Sequence, residues 1–289
     1  MSAGDKVILT CAITGVLTDP KFHRVPVTAE EMADAAEEAY NAGAAVVHCH
    51  FREQEPGQGA KPTWDVPVVS EICSAIRRRV PKIILNMSTG VVGPDISGPA
   101  ACLREIKPEL AALNAGSLNY LKTRKDGSWA WPPILFDNPI EKISSFLKVM
   151  KENGIRAECE CFDTGILRGV GMMRANGLLE DPLEISLVMG VSSGMPAKPA
   201  WLPLLLEEMP EGAQWQVIAI GQKEVWDLHR KACGLGGNLR TGVEDTFYLP
   251  SGEKTYSNGK LIEALAEVVR EQGREVATAD EARKLYQLA

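Results

Sequence analysis

Short apolar runs alternate along this chain with longer stretches whose apolar positions recur every three or four residues. Runs of four to six residues bounded by turn signals predict buried strands, and the longer period predicts amphipathic helices. Strands are expected at Val7–Ala12, Val46–His50, Ile83–Ser88, Leu110–Asn114, Ala157–Cys161, Glu184–Val188, Gln216–Ile220 and Asn238–Thr241. Helices are expected over Thr28–Ala42 (opened by a Thr28/Glu31 capping box), 66–79, 99–105, Pro139–Asn153, 163–176, 199–208, 223–233 and 258–272. Eight strand–helix beats with no linker-like shift in composition predict an α/β fold of one domain over residues 1–289, a (β/α)8 TIM barrel.

A barrel of this kind places its chemistry at the C-terminal ends of the strands. The residues there include the pair His48 and His50, which flank Cys49 at the end of the second strand. Alternate side chains of a strand share a face, so both imidazoles leave in one direction while Cys49 points the other way. Two neutral imidazole nitrogens are half of a tetrahedral zinc site. Glu244 is the best third ligand, because it follows the last strand, which closes beside the first. The competing reading makes both histidines hydrogen-bonded interior residues. His23 lies in a loop and His229 on a helix, where a structural role is expected.

Composition narrows the classes. The 289 residues are 45% hydrophobic and 24% charged, ordinary for a globular protein with a full core. A net charge of −7 argues against nucleic acid as a partner, and no apolar stretch is long enough to span a membrane. The first residues lack the build of a signal peptide, and seven cysteines form no C-x-x-C pair, which together read as reduced thiols in the cytoplasm.

Other constellations carry chemistry less specifically. Arg240 with the adjacent Glu244–Asp245 pair suits an anionic substrate, with one acid free to bind metal and its neighbour to move a proton; an ordinary salt bridge would look the same. Ser88-Thr89-Gly90 and the stretch containing Ser117 and Asn119 offer hydroxyls and backbone N–H groups to an anion, or are plain polar turns. Gly190–Met195 lacks both phosphate-loop and dinucleotide spacing. The proline-rich stretch from Trp129 to Phe136 is long enough to cover an active site or a neighbouring subunit.

Leu9–Gly15 (LTCAITG), Val47–Glu53 (VHCHFRE), Asn86–Gly90 (NMSTG), Leu113–Asn119 (LNAGSLN), Glu158–Glu160, Met189–Met195 (MGVSSGM) and Arg240–Asp245 (RTGVED), in this order and spacing, resemble the β-keto acid cleavage enzyme family over essentially the whole chain. The resemblance implies a zinc-containing barrel, usually a homotetramer, that converts a 3-keto acid and acetyl-CoA into acetoacetate and a new acyl-CoA. It assigns zinc to His48, His50 and Glu244, and catalysis to Arg240 and Asp245 with Glu160 as a further active-site carboxylate. It assigns substrate binding to Ser88 and Ser117, the latter often threonine in the family; Thr89, Gly90 and Asn119 join them as candidates on the polar-turn reading above.

One position departs from the family pattern. Relatives acting on amino-substituted keto acids carry a glutamate two residues after Ile-Thr-Gly, where this chain has Leu17. An aliphatic side chain cannot neutralise an ammonium, which predicts an uncharged or apolar 3-keto acid. Two other enzyme classes share parts of the pattern. A metal-dependent amidohydrolase needs further histidines, but only His229 follows His50. A metal-dependent carbon–carbon lyase or aldolase would need no acetyl-CoA. A metal- or ligand-binding module without activity fits poorly with so dense a polar rim.

Overall fold

The apolar runs close into a ring of parallel strands. The computed structural model describes residues 6–288, so the signal-peptide reading, which rests on the first residues, falls largely outside them. In chain order the strands are β1 (Lys6–Val7), β2 (Leu9–Ala12), β3 (Val46–Cys49), β4 (Ile84–Met87), β5 (Leu110–Asn114), β6 (Leu118–Tyr120), β7 (Ile134–Phe136), β8 (Arg156–Cys161), β9 (Glu184–Met189), β10 (Gln214–Ala219), β11 (Asn238–Thr241) and β12 (Glu275–Val276). The helices are α1 (Ala29–Asn41), α2 (Val66–Arg79), α3 (Ser97–Ile106), α4 (Ile140–Glu152), α5 (Thr164–Ala175), α6 (Leu202–Glu207), α7 (Val225–Gly234), α8 (Asn258–Glu271) and α9 (Ala279–Leu285).

Strands β2, β3, β4, β5, β8, β9, β10 and β11 form the closed barrel, with β11 pairing back onto β2 through Arg240 and Thr10. Both faces of such strands are buried, which is why they read as near-continuous apolar runs. Leu9, Cys11, Val47, Cys49, Leu85 and Leu113 face the helices and join the main core. The alternate residues fill the interior in tiers. Ile8, Val46, Ile84 and Leu110 form an apolar floor against Ala279, Ala282 and Tyr286, so α9 and the residue after it plug the N-terminal end.

The expected first strand divides at Ile8, whose N–H is taken by the Asn238 side-chain oxygen at 2.9 Å. Lys6–Val7 then pair with Glu275–Val276 outside the barrel. The Thr28/Glu31 capping box opens α1 as expected. The proline-rich covering loop is instead a hairpin, with β6 antiparallel to β7 and a further bridge between Thr123 and Trp129.

Candidate active site

Strand register sets the site. His48 pairs with Ala12 on one side and Asn86 on the other, near the top of β3, and His50 follows just beyond the strand end. After β11 the chain turns at Gly242, pressed so close to β2 that a Cβ there would lie 2.2 Å from the Ala12 carbonyl oxygen. The turn swings Glu244 over the barrel mouth, where its N–H donates to that same carbonyl at 3.3 Å. Gly15 makes the room: a Cβ at that position would meet Glu244 Cγ at 2.8 Å.

The three expected ligands converge. Single donor atoms of His48, His50 and Glu244 all lie within 4.8 Å of one another. His50 Nε2 is 3.4 Å from Glu244 Oε1, and His48 Nε2 is 3.9 Å from Oε2. Burial, then the Arg240 charge, holds the His48 imidazole well below its ordinary pKa, so it is neutral and offers a lone pair. Burial opposes ionisation of Glu244, but Arg240 and the two histidines outweigh it and hold this carboxyl well below the usual range. The Glu244 Oε2 atom is buried without a hydrogen-bond partner. A neutral imidazole, an ionised carboxylate and an orphaned oxygen fit a divalent cation.

Charge balance points the same way. The Arg240 side chain is 2% exposed and donates to Asp245 through Nε and Nη2 (both 3.1 Å), to Glu244 at 2.7 Å and to Glu160 at 3.3 Å. One guanidinium faces three buried carboxylates, so negative charge gathers around it that protonation or a bound cation must offset. The surplus shows in the acids: burial with neighbouring carboxylates pushes Glu160 up to about 8 and Asp245 up to about 7. Below them Glu158 accepts hydrogen bonds from Asn86, Ser186 and Gln216, a polar tier that supports the mouth from inside the barrel.

Above the carboxylates opens a cavity of about 480 Å³ with mostly apolar walls. Ser88, Gly90, Asn114, Glu160, Arg240, Glu244 and His50 supply its polar floor, and Leu17 stands at its rim, 78% exposed. Arg52 anchors the rim loop, donating to the Thr14 hydroxyl and to the Thr18 and Gly59 carbonyls. The remaining expected residues lie elsewhere. Asp245 is fully enclosed behind Arg240. Thr89 turns its hydroxyl to the Ala112 carbonyl. Ser117 accepts the Asn138 N–H at 2.8 Å, and Asn119 is exposed on β6; neither lines the cavity.

Sequence reasoning passed over Trp64, Tyr120 and Phe162, all cavity walls. Phe162 directly follows β8, so its strand-end position was legible, but an apolar ring there carries no chemical mark that separates a cavity wall from core. His229 is buried on α7, pushed down to about 3 by burial, and tilted against Trp226, away from the metal-ligand set. The amidohydrolase pattern therefore lacks its further histidine. His23 stacks on Phe247 with ring centroids 4.8 Å apart.

A closed parallel barrel that gathers a His-x-His pair, a glutamate and a buried arginine at its C-terminal mouth defines a β/α-barrel enzyme with a candidate metal centre. The chain belongs to the β-keto acid cleavage enzyme family, whose profile matches residues 6–288. It is 33% identical to the 3-keto-5-aminohexanoate cleavage enzyme of Fusobacterium nucleatum, over 98% of both chains. It is 30% identical to the 3-oxoadipate:acetyl-CoA acetyltransferase of Cupriavidus necator, over 97% of this chain and 94% of that protein. The ligand-free structure of ObcA superposes with a TM-score of 0.75 at 20% identity, covering 91% of this chain and 65% of that one, a likeness of fold.

Proposed function

We propose that the chain is one catalytic domain, a cytoplasmic homotetrameric acyltransferase that converts an uncharged or apolar 3-keto acid and acetyl-CoA into acetoacetate and a new acyl-CoA. The observation that carries this reading is the convergence of His48, His50 and Glu244 beside Arg240, at the floor of an apolar cavity. Family membership and the acetyl-CoA named for the Cupriavidus relative support the reaction type. Seven buried, free cysteines support a reducing compartment. No helix among the described residues is long and apolar enough to cross a membrane. The tetramer rests on the family resemblance.

Zinc bound by His48, His50 and Glu244 would act as a Lewis acid toward a β-keto carboxylate and acidify its α-proton. The chain's own groups do the rest. The Ser88 hydroxyl and the Gly90 backbone at the cavity floor receive the carboxylate. Asp245 takes the α-proton, for which Arg240 must turn a donor from Asp245 towards the substrate. The carbanion attacks the acetyl carbonyl of acetyl-CoA and expels the CoA thiolate. That thiolate attacks the substrate's original ketone. The old carbon–carbon bond breaks, the acyl group stays on sulfur, and the departing acetoacetate carbanion recovers a proton. Glu160, protonated near neutral pH by its burial, holds Arg240 in place beside the reacting atoms.

The walls argue for the substrate class. An amino group would meet Leu17 at the rim, and a second carboxylate would meet Val91, Phe136, Val188 and Ile218, none able to pair with charge. The test is a panel of aliphatic, amino-substituted and dicarboxylic 3-keto acids, run with and without acetyl-CoA, alongside metal analysis of the purified protein. One zinc per chain and acetyl-CoA-dependent turnover, highest for an aliphatic acid, are expected. Cleavage without acetyl-CoA would make it a lyase instead, and highest kcat/KM for an amino-substituted or dicarboxylic 3-keto acid would refute the substrate assignment.

A further inference from the structure

The β6–β7 hairpin projects from the barrel mouth, and its inner residues Tyr120, Ile134 and Phe136 form one wall of the cavity. Its outer part changes character. The Tyr120 ring stacks on Trp131 at 6.1 Å, and Lys122 Nζ lies 5.3 Å from the same Trp131 ring. The tip adds Arg124 and Lys125, with Asp126 the one acid among residues 118–136. Arg124 stiffens the tip by donating to the Trp129 and Ala130 carbonyls, and Trp129 remains 49% exposed. A path therefore runs from the cavity over two stacked rings to an exposed indole and a patch of cations, on a protein whose net charge is −7.

The rim loop divides the cavity, which Leu17 and Thr18 line, from a groove of about 910 Å³ that begins at Asp19. That groove is acidic, with five carboxylates (among them Glu31, Asp34 and Glu38) against Lys21 and Arg24. A polyanionic co-substrate is repelled there and attracted to the hairpin.

We infer that the hairpin is the docking surface for the nucleotide end of coenzyme A, a nucleoside diphosphate with a further phosphate on its ribose. Trp129 stacks the purine, Lys122 and Lys125 face the phosphates, and the acyl-thioester arm runs along Trp131 and Tyr120 into the cavity. The inference rests on the acyltransferase reading and adds to it the residues that recognise the co-substrate.

The test is calorimetric binding of CoA to the wild-type protein, to a Lys122→Glu/Lys125→Glu double variant and to Trp129→Ala. A dissociation constant at least tenfold weaker is expected in the double variant. The KM for an acetyl-pantetheine thioester, which lacks the nucleotide, should be equal in all three proteins. Equal CoA affinity in all three overturns the inference, and a shift in oligomeric state by sedimentation with equal CoA affinity assigns the hairpin to a subunit contact instead. Absence of CoA binding by the wild-type protein overturns the acyltransferase reading itself and removes the inference with it, an outcome the variants are not needed to recognise.

Discussion

At the scale of single residues, the site depends on contacts that leave no room for change. Gly15 supports the candidate metal centre without offering a ligand atom, because its missing side chain lets Glu244 lie over the mouth. Gly15→Ala is expected to displace Glu244 and weaken metal affinity about tenfold to a hundredfold, the usual cost of disturbing the support of a ligand. A chelator competition assay reads this directly, and unchanged affinity would show that Glu244 finds another route. Leu17 is the complementary case, a residue that acts by what it withholds. Leu17→Glu places a carboxylate at the rim and is expected to raise kcat/KM for an amino-substituted 3-keto acid relative to an aliphatic one by about fivefold. That matches an exposed ion pair of about 1 kcal/mol. The convergence of His48, His50 and Glu244 was legible because period-two alternation at a strand end is a strong signal and barrel closure brings the last strand to the first. The seclusion of Asp245 was not, since sequence order places it beside Glu244, and both accept from Arg240 Nη2, yet only Glu244 reaches the cavity.

At the scale of elements, two walls of the cavity belong to different segments that one buried charge ties together. Lys142, on α4 and 6% exposed, donates to the carbonyls of Val91 (2.7 Å), Gly93 (2.9 Å) and Asp137 (2.8 Å). Asp137 returns the tie by accepting the Gly93 N–H at 2.9 Å. The loop after β4 and the end of the hairpin are thus fixed to each other as well as to α4. Lys142→Met leaves these carbonyls without a donor, and is expected to cost about 1–3 kcal/mol in urea denaturation. Because Val91 and Phe136 line the cavity proposed to take the keto acid, its KM should rise more than kcat falls. A variant with lowered stability and unchanged KM would reduce Lys142 to a structural tie. None of this was visible beforehand: strands of three residues in a proline-bearing segment carry no periodicity, and a lysine at a helix start reads as surface.

At the scale of the whole molecule, the eight-beat pattern was legible because barrel strands are covered on both faces and the helices between them carry one apolar stripe each. The closure of the barrel bottom was not, since β12 has two residues and α9 seven. That closure has an electrostatic consequence. Glu184, 5% exposed, faces the small interior space shared by Glu158, Gln216 and Tyr286, with one carboxylate oxygen unpartnered. Burial pushes its pKa up to about 9; Arg156 opposes the shift and Glu158 adds to it, and the Tyr286 phenol is itself driven far up by burial. In the unfolded chain the same carboxyl titrates near about 4.3. Between those values the folded state holds a proton that the unfolded state has released, so stability declines as pH rises, by at most about 1.4 kcal/mol per pH unit for one group. The contribution is complete below the unfolded value and gone once pH passes the folded one. Glu184→Gln keeps the shape of the protonated acid and removes the titration. Its urea-unfolding free energy should match the wild type near pH 5 and exceed it increasingly towards pH 8.5, by a few kcal/mol; two profiles that stay parallel across that range would place the alkaline sensitivity of the fold elsewhere than in the sealed floor of the barrel.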